Sequence, residues 1–196
     1  MKDRRENIIR KSMELYAHKG YQNVSITDLQ CALDIGRGTL YYYFKDQDEL
    51  FQVCMERYFL EPKQRALNSV PEDAGVERMI EAMMTYLGSL EQALLEFEEK
   101  NINTSNVNGL MFSAYSKFPT LYRQAKRLAI KEQELWRKAI YNDQRTGLIR
   151  RDIDREQVAL MFAHIKNSYD SGLGKGQMDF SLLRKTYSEL HNLIKI

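Results

Sequence analysis

Apolar residues recur three and four positions apart along nearly the whole chain, and no other feature narrows the choice of fold as much. No stretch alternates apolar and polar residues for long enough to require a β-sheet. Only 10 glycines and 3 prolines interrupt the pattern in 196 residues. The sequence therefore predicts an all-α fold, in a chain long enough to bury a core of its own.

Charge and cysteine content narrow the class of protein further. The net charge is +2, so any nucleic-acid binding has to come from local placement of charge, and residues 1–45 hold 8 Lys and Arg against 5 Asp and Glu. Cys31 and Cys54 are too few for a disulfide framework or a zinc module, although a redox role for either stays open. No run approaches the roughly 18 apolar residues of a membrane span, and residues 1–6 do not have the form of a secretory signal. We expect a cytoplasmic protein with no membrane contact.

The first 50 residues predict short helices around a tight turn. Ser25 and Asp28 have the spacing of a capping box, so a helix is expected to begin there. Asp34 begins an interruption that ends this helix after about two turns. Two short helices packed on a longer one are the helix-turn-helix arrangement. The predicted helices are 3–19, 25–33, 37–44 and one that starts at Asp46.

The third of these helices has the composition of a DNA-reading element. Leu40 and Phe44 are four residues apart and are expected to face inward. Arginine can bond a guanine edge bidentately, and hydroxyl groups suit phosphates or bases. Gly38 would let the backbone approach the duplex, and Lys45 follows the helix as a point charge for phosphate. For Tyr41, burial as a packing aromatic is the alternative. The side chains expected to point outward are Arg37, Thr39, Tyr42 and Tyr43.

Four stretches carry a resemblance to a known family: Gly20-Tyr21, Ser25-Ile26-Thr27-Asp28-Leu29, Ile35 to Lys45, and Glu49-Leu50. Over residues 4–52 the chain resembles the N-terminal DNA-binding domain of the TetR family of transcriptional regulators. It departs from the family pattern at Asp34, where glycine is usual, and at Gly36, where a Ser or Thr cap is usual. The lost cap hydroxyl is expected to weaken the following helix by about 0.5 kcal/mol.

The resemblance implies DNA contacts at named positions. It places Arg37, Gly38, Thr39 and Tyr42 in or along the major groove, and Thr27, Tyr41, Tyr43 and Lys45 on the phosphate backbone. It further implies a DNA-binding domain over residues 1–50 and an effector-binding and dimerisation domain over 51–196. The expected partners are a palindromic double-stranded DNA operator, a small-molecule effector of unknown identity, and a second copy joined through the last two helices.

The remainder of the chain predicts further helices. Glu61-Pro62 is expected to break or kink the fourth helix, because proline lacks the amide donor and disfavours helix in the preceding residue. Residues 61–75 are interpreted as a connector. The linker from Gly172 to Gly176 has no strand before it and no Ser or Thr in the required place, so it is not a phosphate loop. The further helices are expected near 76–97, 110–115, 119–146, 154–172 and 179–194, with a loop over 98–108.

Methionines and aromatic residues in the second half suit a cavity for an apolar or amphipathic ligand. His164, Lys166 and Asn167 lie near Phe162 on the penultimate helix, where they could orient such a ligand. Every helical bundle needs similar residues in its core, so plain packing is the alternative for each of them. The candidate ligand-binding residues are Met83, Tyr86, Phe112, Tyr115, Trp136, Phe162, His164 and Asn167.

Neither a catalytic site nor a metal or cofactor site emerges from the sequence. The three histidines, His18, His164 and His191, are far apart and form no pair at metal-ligand spacing. The resemblance to the TetR family implies a ligand-responsive transcriptional regulator, released as a repressor from its operator, and we expect no enzymatic activity. Two alternatives remain: a helical small-molecule enzyme or sequestering protein with a vestigial DNA domain, and a DNA-binding protein that needs no effector.

Overall fold

The computed structural model describes residues 2–97, 102, 104–170 and 179–196, without the side chains of residues 2, 3, 104, 105 and 167–170. Within these ranges the chain is all-α, as predicted, and its one β-type contact is an isolated bridge between Ile149 and Lys195. The α-helices are α1 (Lys2–Lys19), α2 (Ile26–Leu33), α3 (Arg37–Tyr43), α4 (Gln47–Met55), α5 (Glu61–Asn68), α6 (Val76–Leu95), α7 (Thr104–Lys117), α8 (Pro119–Thr146), α9 (Arg155–Asp170) and α10 (Phe180–Ile194). None of the described helices is long and apolar enough to cross a bilayer.

The chain forms two compact units, each built from two stretches of sequence. The first unit contains residues 1–61 and 92–124, and the second contains residues 62–91 and 125–196. The two units are defined by contacts between residues in the structure, whereas the predicted domains 1–50 and 51–196 are defined by sequence motifs. The predicted domain boundary stays a prediction.

The core of the first unit forms around α1. This helix packs against α2, α4 and α7, because its apolar stripe is broad enough to face all three. Aromatic rings fill the space where α1 and α4 meet: the Tyr16 and Phe51 rings are perpendicular with centres 5.1 Å apart. The largest fully buried side chains of this unit include Ile8, Ile9, Met13, Tyr16, Leu29, Phe44, Phe51, Phe59 and Phe97.

Of the two effects expected of Glu61-Pro62, a break or a kink, the break of the helix does not occur. A π-helical segment, Glu56–Leu60, follows α4 and leads directly into α5, which contains Pro62. In this segment the Glu61 N–H bonds to the Glu56 carbonyl, five residues back. A wider turn of this kind accommodates a residue that has no N–H donor and whose ring crowds the preceding turn. The predicted connector over 61–75 is therefore helical as far as Asn68.

The second unit has one continuous apolar core contributed by α5, α6, α8, α9 and α10. This core contains a stack of three aromatic rings. The centre of the Trp136 ring lies 4.6 Å from that of Phe162 and 5.8 Å from that of Tyr187. The C-terminal end of α10 is fixed by backbone hydrogen bonds from Arg150 to Ile194 and from Ile196 to Leu148. Burial of the stack makes this unit a packed helical bundle.

Other helix bounds agree in part with the sequence. Gly147 ends α8 with φ 77°, as its position after the last periodic residues predicts. In contrast, α7 begins at Thr104, six residues before the predicted start. The sequence predicted a loop over residues 98–108 because they are mostly polar. A helix whose first turns are polar has the same composition, so composition could not show that α7 begins at Thr104. The predicted linker from Gly172 to Gly176 lies outside the described residues.

Candidate DNA interface

The N-terminus of α2 is closed by the predicted capping box. The Ser25 hydroxyl accepts a hydrogen bond from Asp28 N at 3.1 Å, and the Asp28 carboxylate accepts one from Ser25 N at 2.9 Å. Lys19, at the end of α1, donates to Asp28 Oδ1 at 2.8 Å. Hydrogen bonds from Lys19 and Ser25 hold the pKa of Asp28 well below its ordinary value. The start of α2, including the exposed Thr27, is thereby tied to α1.

The turn between α2 and α3 contains a left-handed residue. Asp34 has φ 50° and is the one non-glycine residue with positive φ in the described chain. The N–H groups of Asp34 and Ile35 bond back to the Cys31 and Gln30 carbonyls, at 3.4 and 3.2 Å. Gly36 then occupies the N-cap of α3 without a side-chain hydrogen bond. The turn at Asp34 and the missing cap at Gly36 both agree with the sequence.

Two apolar side chains hold α3 against the first unit. Leu40 and Phe44 are buried, as their spacing predicts. The Arg5 guanidinium from α1 lies 5.1 Å from the centre of the Phe44 ring. Because both buried side chains lie on one face, the other face of α3 is left to solvent, and Tyr42 on it is 69% exposed.

The predicted DNA-contacting residues form one surface around this face. The Arg37 guanidinium lies 5.5 Å from the centre of the Tyr41 ring, and the Tyr42 and Tyr43 rings are perpendicular at 4.9 Å. A side chain at Gly38 would meet no atom within 4 Å, so the backbone there is open to an approaching duplex. Thr27, Arg37, Gly38, Tyr41, Tyr42 and Lys45 are exposed, and Thr39 and Tyr43 are half-buried.

Lys45 lies between α3 and α4, where the chain is fixed by hydrogen bonds. The Asp46 carboxylate accepts from Glu49 N at 2.8 Å and caps α4, which begins where the sequence predicts. Glu49 Oε2 accepts in turn from the backbone N–H of Lys45. The Gln47 amide donates to the Val24 carbonyl at 2.6 Å. These contacts determine where the Lys45 ammonium is presented.

A row of polar contacts joins α4 to the C-terminal end of α7 and the start of α8. The α4 side of the row continues into the π-helical segment, with its members four residues apart and therefore on one face. We refer to these contacts as the α4 polar row. The hydrogen bonds join Lys117 to Asp48 (3.0 Å), Thr120 to Gln52 (3.2 Å) and Gln124 to Glu56 (3.3 Å).

At one end of the α4 polar row, three elements meet at a single phenol. Lys117 Nζ donates to the Tyr21 oxygen at 2.6 Å, and the Tyr21 hydroxyl donates to the Asp48 carboxylate. The hydrogen bond from Tyr21, with that from Lys117, holds the pKa of Asp48 below its ordinary value. Burial and the hydrogen bond to Asp48 raise the pKa of Tyr21. The cluster links the 3-10 turn Tyr21–Asn23, which follows α1, with the first turn of α4 and the last turn of α7.

Comparison with known proteins identifies this arrangement. Residues 8–54 match the family model of bacterial regulatory proteins, tetR family. Residues 8–54 of the chain are therefore a tetR-family DNA-binding domain. A chain with this helix-turn-helix domain is a DNA-binding transcriptional regulator, as the sequence predicts.

Known transcriptional regulators are similar over most of the chain. The HTH-type transcriptional repressor DhaR of Mycobacterium sp. (strain GP1) is 22% identical over 160 residues, which cover 79% of this chain and 74% of that protein. A TetR transcription regulator from Haloarcula marismortui is similar in structure at 15% identity, with TM-score 0.69 and full coverage of both chains. The regulator PfmR from Thermus thermophilus has TM-score 0.67 at 15% identity, covering 94% of this chain and 97% of PfmR. These structures share its fold.

Half of the predicted effector-binding residues lie together in the core of the second unit. Their burial satisfies the packing alternative, and their position in one apolar cluster also suits a ligand. A role in effector binding stays a prediction. These residues are Met83, Tyr86, Trp136 and Phe162.

The other predicted effector-binding residues lie outside this cluster. His164 is exposed on α9, whereas Phe112 is 76% exposed and Tyr115 half-buried on α7 in the first unit. The side chain of Asn167 lies outside the described residues. Among those described, no group of three or more His, Cys, Asp or Glu residues is placed to hold a metal ion.

Sequence reasoning missed two acidic residues that are almost fully buried on α8. Glu132 and Asp143 share the inward face of α8 with Trp136 and Ala139, since they lie four residues before Trp136 and four after Ala139. An acidic residue within an apolar stripe is a signal for a paired, buried charge. Glu132 contacts two lysines, and Asp143 accepts from Val76 N at the start of α6.

Proposed function

We propose that this TetR-family chain is a homodimeric, cytoplasmic repressor that a small apolar or amphipathic molecule releases from a palindromic operator. The observation that carries the proposal is the exposed face of α3, which is fixed by Leu40 and Phe44 on one side and presents Arg37 and Tyr42 on the other. The name of the Mycobacterium relative, a repressor, supports the direction of regulation.

In the proposed complex, α3 enters the major groove. Arg37 bonds a guanine edge bidentately, and the Thr39 and Tyr42 hydroxyls contact base edges or phosphates along the groove. The exposed Gly38 allows the close approach that these contacts require. The contacts that position the protein on the phosphate backbone come from Thr27, Tyr41, Tyr43 and Lys45.

Dimerisation is proposed to occur through α9 and α10. Apolar side chains on these helices remain exposed in the single chain: Met161 is 57%, Leu182 47% and Leu193 71% exposed. Exposed apolar side chains on adjoining helices are typical of a surface that a second subunit covers. Two copies would set their α3 helices about 34 Å apart, at the spacing of successive major grooves.

The α4 polar row is the proposed route by which effector binding changes DNA affinity. It connects α4 to the end of α7 and the start of α8 through side chains of both partners. A shift of α7 would therefore move the first turn of α4, and with it the end of α3. Allosteric coupling of about 1–3 kcal/mol would lower operator affinity roughly 5–150-fold.

The experiment that tests DNA recognition is selection of genomic fragments by the purified protein at two salt concentrations. We expect enrichment of one palindromic site that persists at the higher salt, because base contacts add specificity to the salt-sensitive phosphate contacts. Sequence-independent binding that vanishes at the higher salt would contradict the proposal.

The selected site then tests α3 directly. Arg37→Ala and Tyr42→Ala are each expected to weaken operator binding about tenfold or more, since a bidentate Arg–guanine pair contributes roughly 1–3 kcal/mol. Arg123→Ala, which removes an exposed arginine from α8, is the matched control and should bind as the parent does. Unchanged affinity in both α3 variants would contradict the assignment of this helix.

A further inference from the structure

Three charged side chains meet at one end of the core of the second unit. Glu132 on α8 is 1% exposed, and its carboxylate accepts from Lys166 Nζ of α9 at 2.7 Å and from Lys63 Nζ of α5 at 2.6 Å. The side chains of Lys63 and Lys166 are 13% and 16% exposed. Within the described residues, Glu132 is the carboxylate that either ammonium contacts. One negative charge therefore faces two positive charges.

The surplus positive charge lies where water is scarce. Burial lowers the pKa of Lys166, and the Lys63 charge lowers it too, so that the pKa stays below its ordinary value although Lys166 holds a carboxylate. Burial alone would raise the pKa of Glu132, but the two lysines keep it below its ordinary value. A poorly solvated charge without a counter-charge is costly, and a bound anion would remove that cost.

Each of the three charged residues lies one helical turn from an apolar residue of the core. Residues four apart on a helix lie on the same face, so the charged cluster is next to the apolar core. A ligand with a charged head and an apolar body would find both environments side by side. The three pairs are Lys63 and Leu67, Glu132 and Trp136, and Lys166 and Phe162.

A second, independent observation comes from Trp136. Its side chain is fully buried, and its indole N–H has no hydrogen-bond acceptor among the described residues. Buried donors are nearly always paired, because an unpaired one loses its hydrogen bonds to water and gains none in return. Trp136 lies four residues after Glu132 and therefore on the same face of α8, so its unpaired donor is carried by the residue next to the charged cluster on that face.

We propose that the effector is an anionic amphipathic molecule whose carboxylate or similar head group binds Lys63 and Lys166 beside Glu132, with its apolar part against Trp136 and Phe162. This inference rests on the proposed function in one respect only, that the second unit binds the effector. Three methionines of α6 lie in the same core and can change rotamer to admit the apolar part. They are Met79, Met83 and Met84.

The test is calorimetric titration of the full chain with four carboxylates: octanoate, decanoate, phenylacetate and indoleacetate. Each is compared with the primary alcohol and the primary amine of the same carbon skeleton at constant ionic strength. We expect at least one carboxylate to bind about tenfold or more tightly than its alcohol, because only the anion forms an ion pair with the ammonium groups in addition to hydrogen bonds. The matching amine should bind more weakly than the alcohol.

Variants then locate the binding site. The Lys63→Met variant keeps Lys166 and Glu132 as a pair of one positive and one negative charge, so the fold should persist. Its melting temperature, compared with that of the parent protein, checks this. The substitution is expected to lower carboxylate affinity about tenfold while leaving alcohol affinity unchanged. Lys166→Met should do the same. Lys131→Met is the control, since Lys131 is also on α8 but donates to Asn68 instead.

Three results would overturn the inference: no carboxylate binds, carboxylate and alcohol bind equally, or Lys63→Met and Lys166→Met bind carboxylates as the parent does. Operator release, measured in parallel, separates this failure from failure of the proposed function. If alcohols or amines release the operator and carboxylates do not, the protein is an effector-responsive regulator and the anionic head group is wrong. If the protein selects no operator, the proposed function fails whatever the titrations give.

Discussion

Glycine is required at position 75 because the Asp143 side chain lies too close for a Cβ atom, and not because of the backbone conformation of Gly75. A Cβ at this position would lie 2.1 Å from Asp143 Oδ1, far inside van der Waals contact. Asp143 is 7% exposed, and its other carboxylate oxygen accepts from Val76 N at 2.8 Å, which caps the start of α6. The carboxylate therefore has no room to move aside and keep that hydrogen bond.

Gly75→Ala is accordingly expected to destabilise the chain by about 1–3 kcal/mol, because it displaces Asp143 and leaves a buried N–H unpaired. Gly88→Ala is the matched control: Gly88 lies within α6, and a Cβ there meets no atom within 4 Å. That control should be neutral or stabilising by up to about 1 kcal/mol. Equilibrium urea unfolding of both variants checks the prediction, which equal stabilities would refute.

At the scale of elements, α3 is a short helix held more by tertiary contacts than by its own ends. Its N-cap is Gly36, which forms no side-chain cap hydrogen bond, and its last turn ends against the buried Phe44. Gly36 has φ −71° and ψ 157°, a conformation that serine adopts freely at an N-cap. A Cβ there meets no atom within 4 Å.

Gly36→Ser should therefore supply the missing cap and stabilise the chain by roughly a few tenths of a kcal/mol. Gly36→Ala is the control without a hydroxyl and is expected to be less stable than the serine variant. Amide hydrogen exchange in α3 offers a local measurement, in which the serine variant should protect the helix more than the parent. Equal protection in the serine and alanine variants would mean that the cap does not limit α3.

The segment around Pro62 illustrates a limit of element prediction. Proline at this position ends a helix if the preceding turn keeps α-helical hydrogen bonds, and that rule gave the wrong boundary. The π-helical segment Glu56–Leu60 changes those bonds and lets the chain continue as α5. This continuation matters for the charged cluster of Lys63, Glu132 and Lys166, because Lys63 lies on α5 and contacts the Glu132 carboxylate.

At the scale of the whole molecule, the proposed dimerisation through α9 and α10 can be tested by measuring the oligomeric state and the operator affinity of the same variants. Met161→Glu and Leu193→Glu place charges on the exposed apolar side chains of these helices and should give a monomer. Operator affinity should then fall about a hundredfold or more, because a single half-site lacks the avidity of two. Leu95→Glu, at the end of α6, replaces another exposed apolar residue and should remain dimeric. Analytical ultracentrifugation and operator titration would measure both effects; a dimeric Leu193→Glu variant would point to another interface.

Acid should destabilise the molecule in two stages. Burial, with the nearby Lys195, lowers the pKa of His191 below 6.5 against the opposing charges of Asp143 and Glu77. The unfolded chain then takes up this proton first, so stability falls as the pH drops below 6.5. The pKa values of Glu132 and Asp48 are lowered from 4.5 and 3.8, and the stability they contribute is present above those values and lost below them.

Urea midpoints measured from pH 8 to pH 3 should show both stages. His191→Gln is expected to remove the decline between pH 6.5 and about 5 and to leave the later, carboxylate-dependent decline in place. A constant midpoint between pH 7.5 and pH 5 in the parent protein would contradict the assignment to His191.

The sequence by itself determined the features that depend on residues close together in the chain. The helical period, the Ser25–Asp28 capping box, the left-handed Asp34 and the inward pair Leu40 and Phe44 each follow from local geometry. The family resemblance rests on the same short segment. A pattern contained within a few turns can be predicted because its physical cause lies within those turns.

Only the tertiary structure decided which distant residues meet. The contact of Tyr21 with Lys117 spans 96 positions, and that of Glu132 with Lys166 spans 34. Many lysines could reach a given carboxylate or phenol, and the choice among them is made by helix packing rather than by spacing. The sequence analysis missed Glu132; its spacing from Trp136 could have indicated an inward position but not its partners, because pairing depends on how three helices come together.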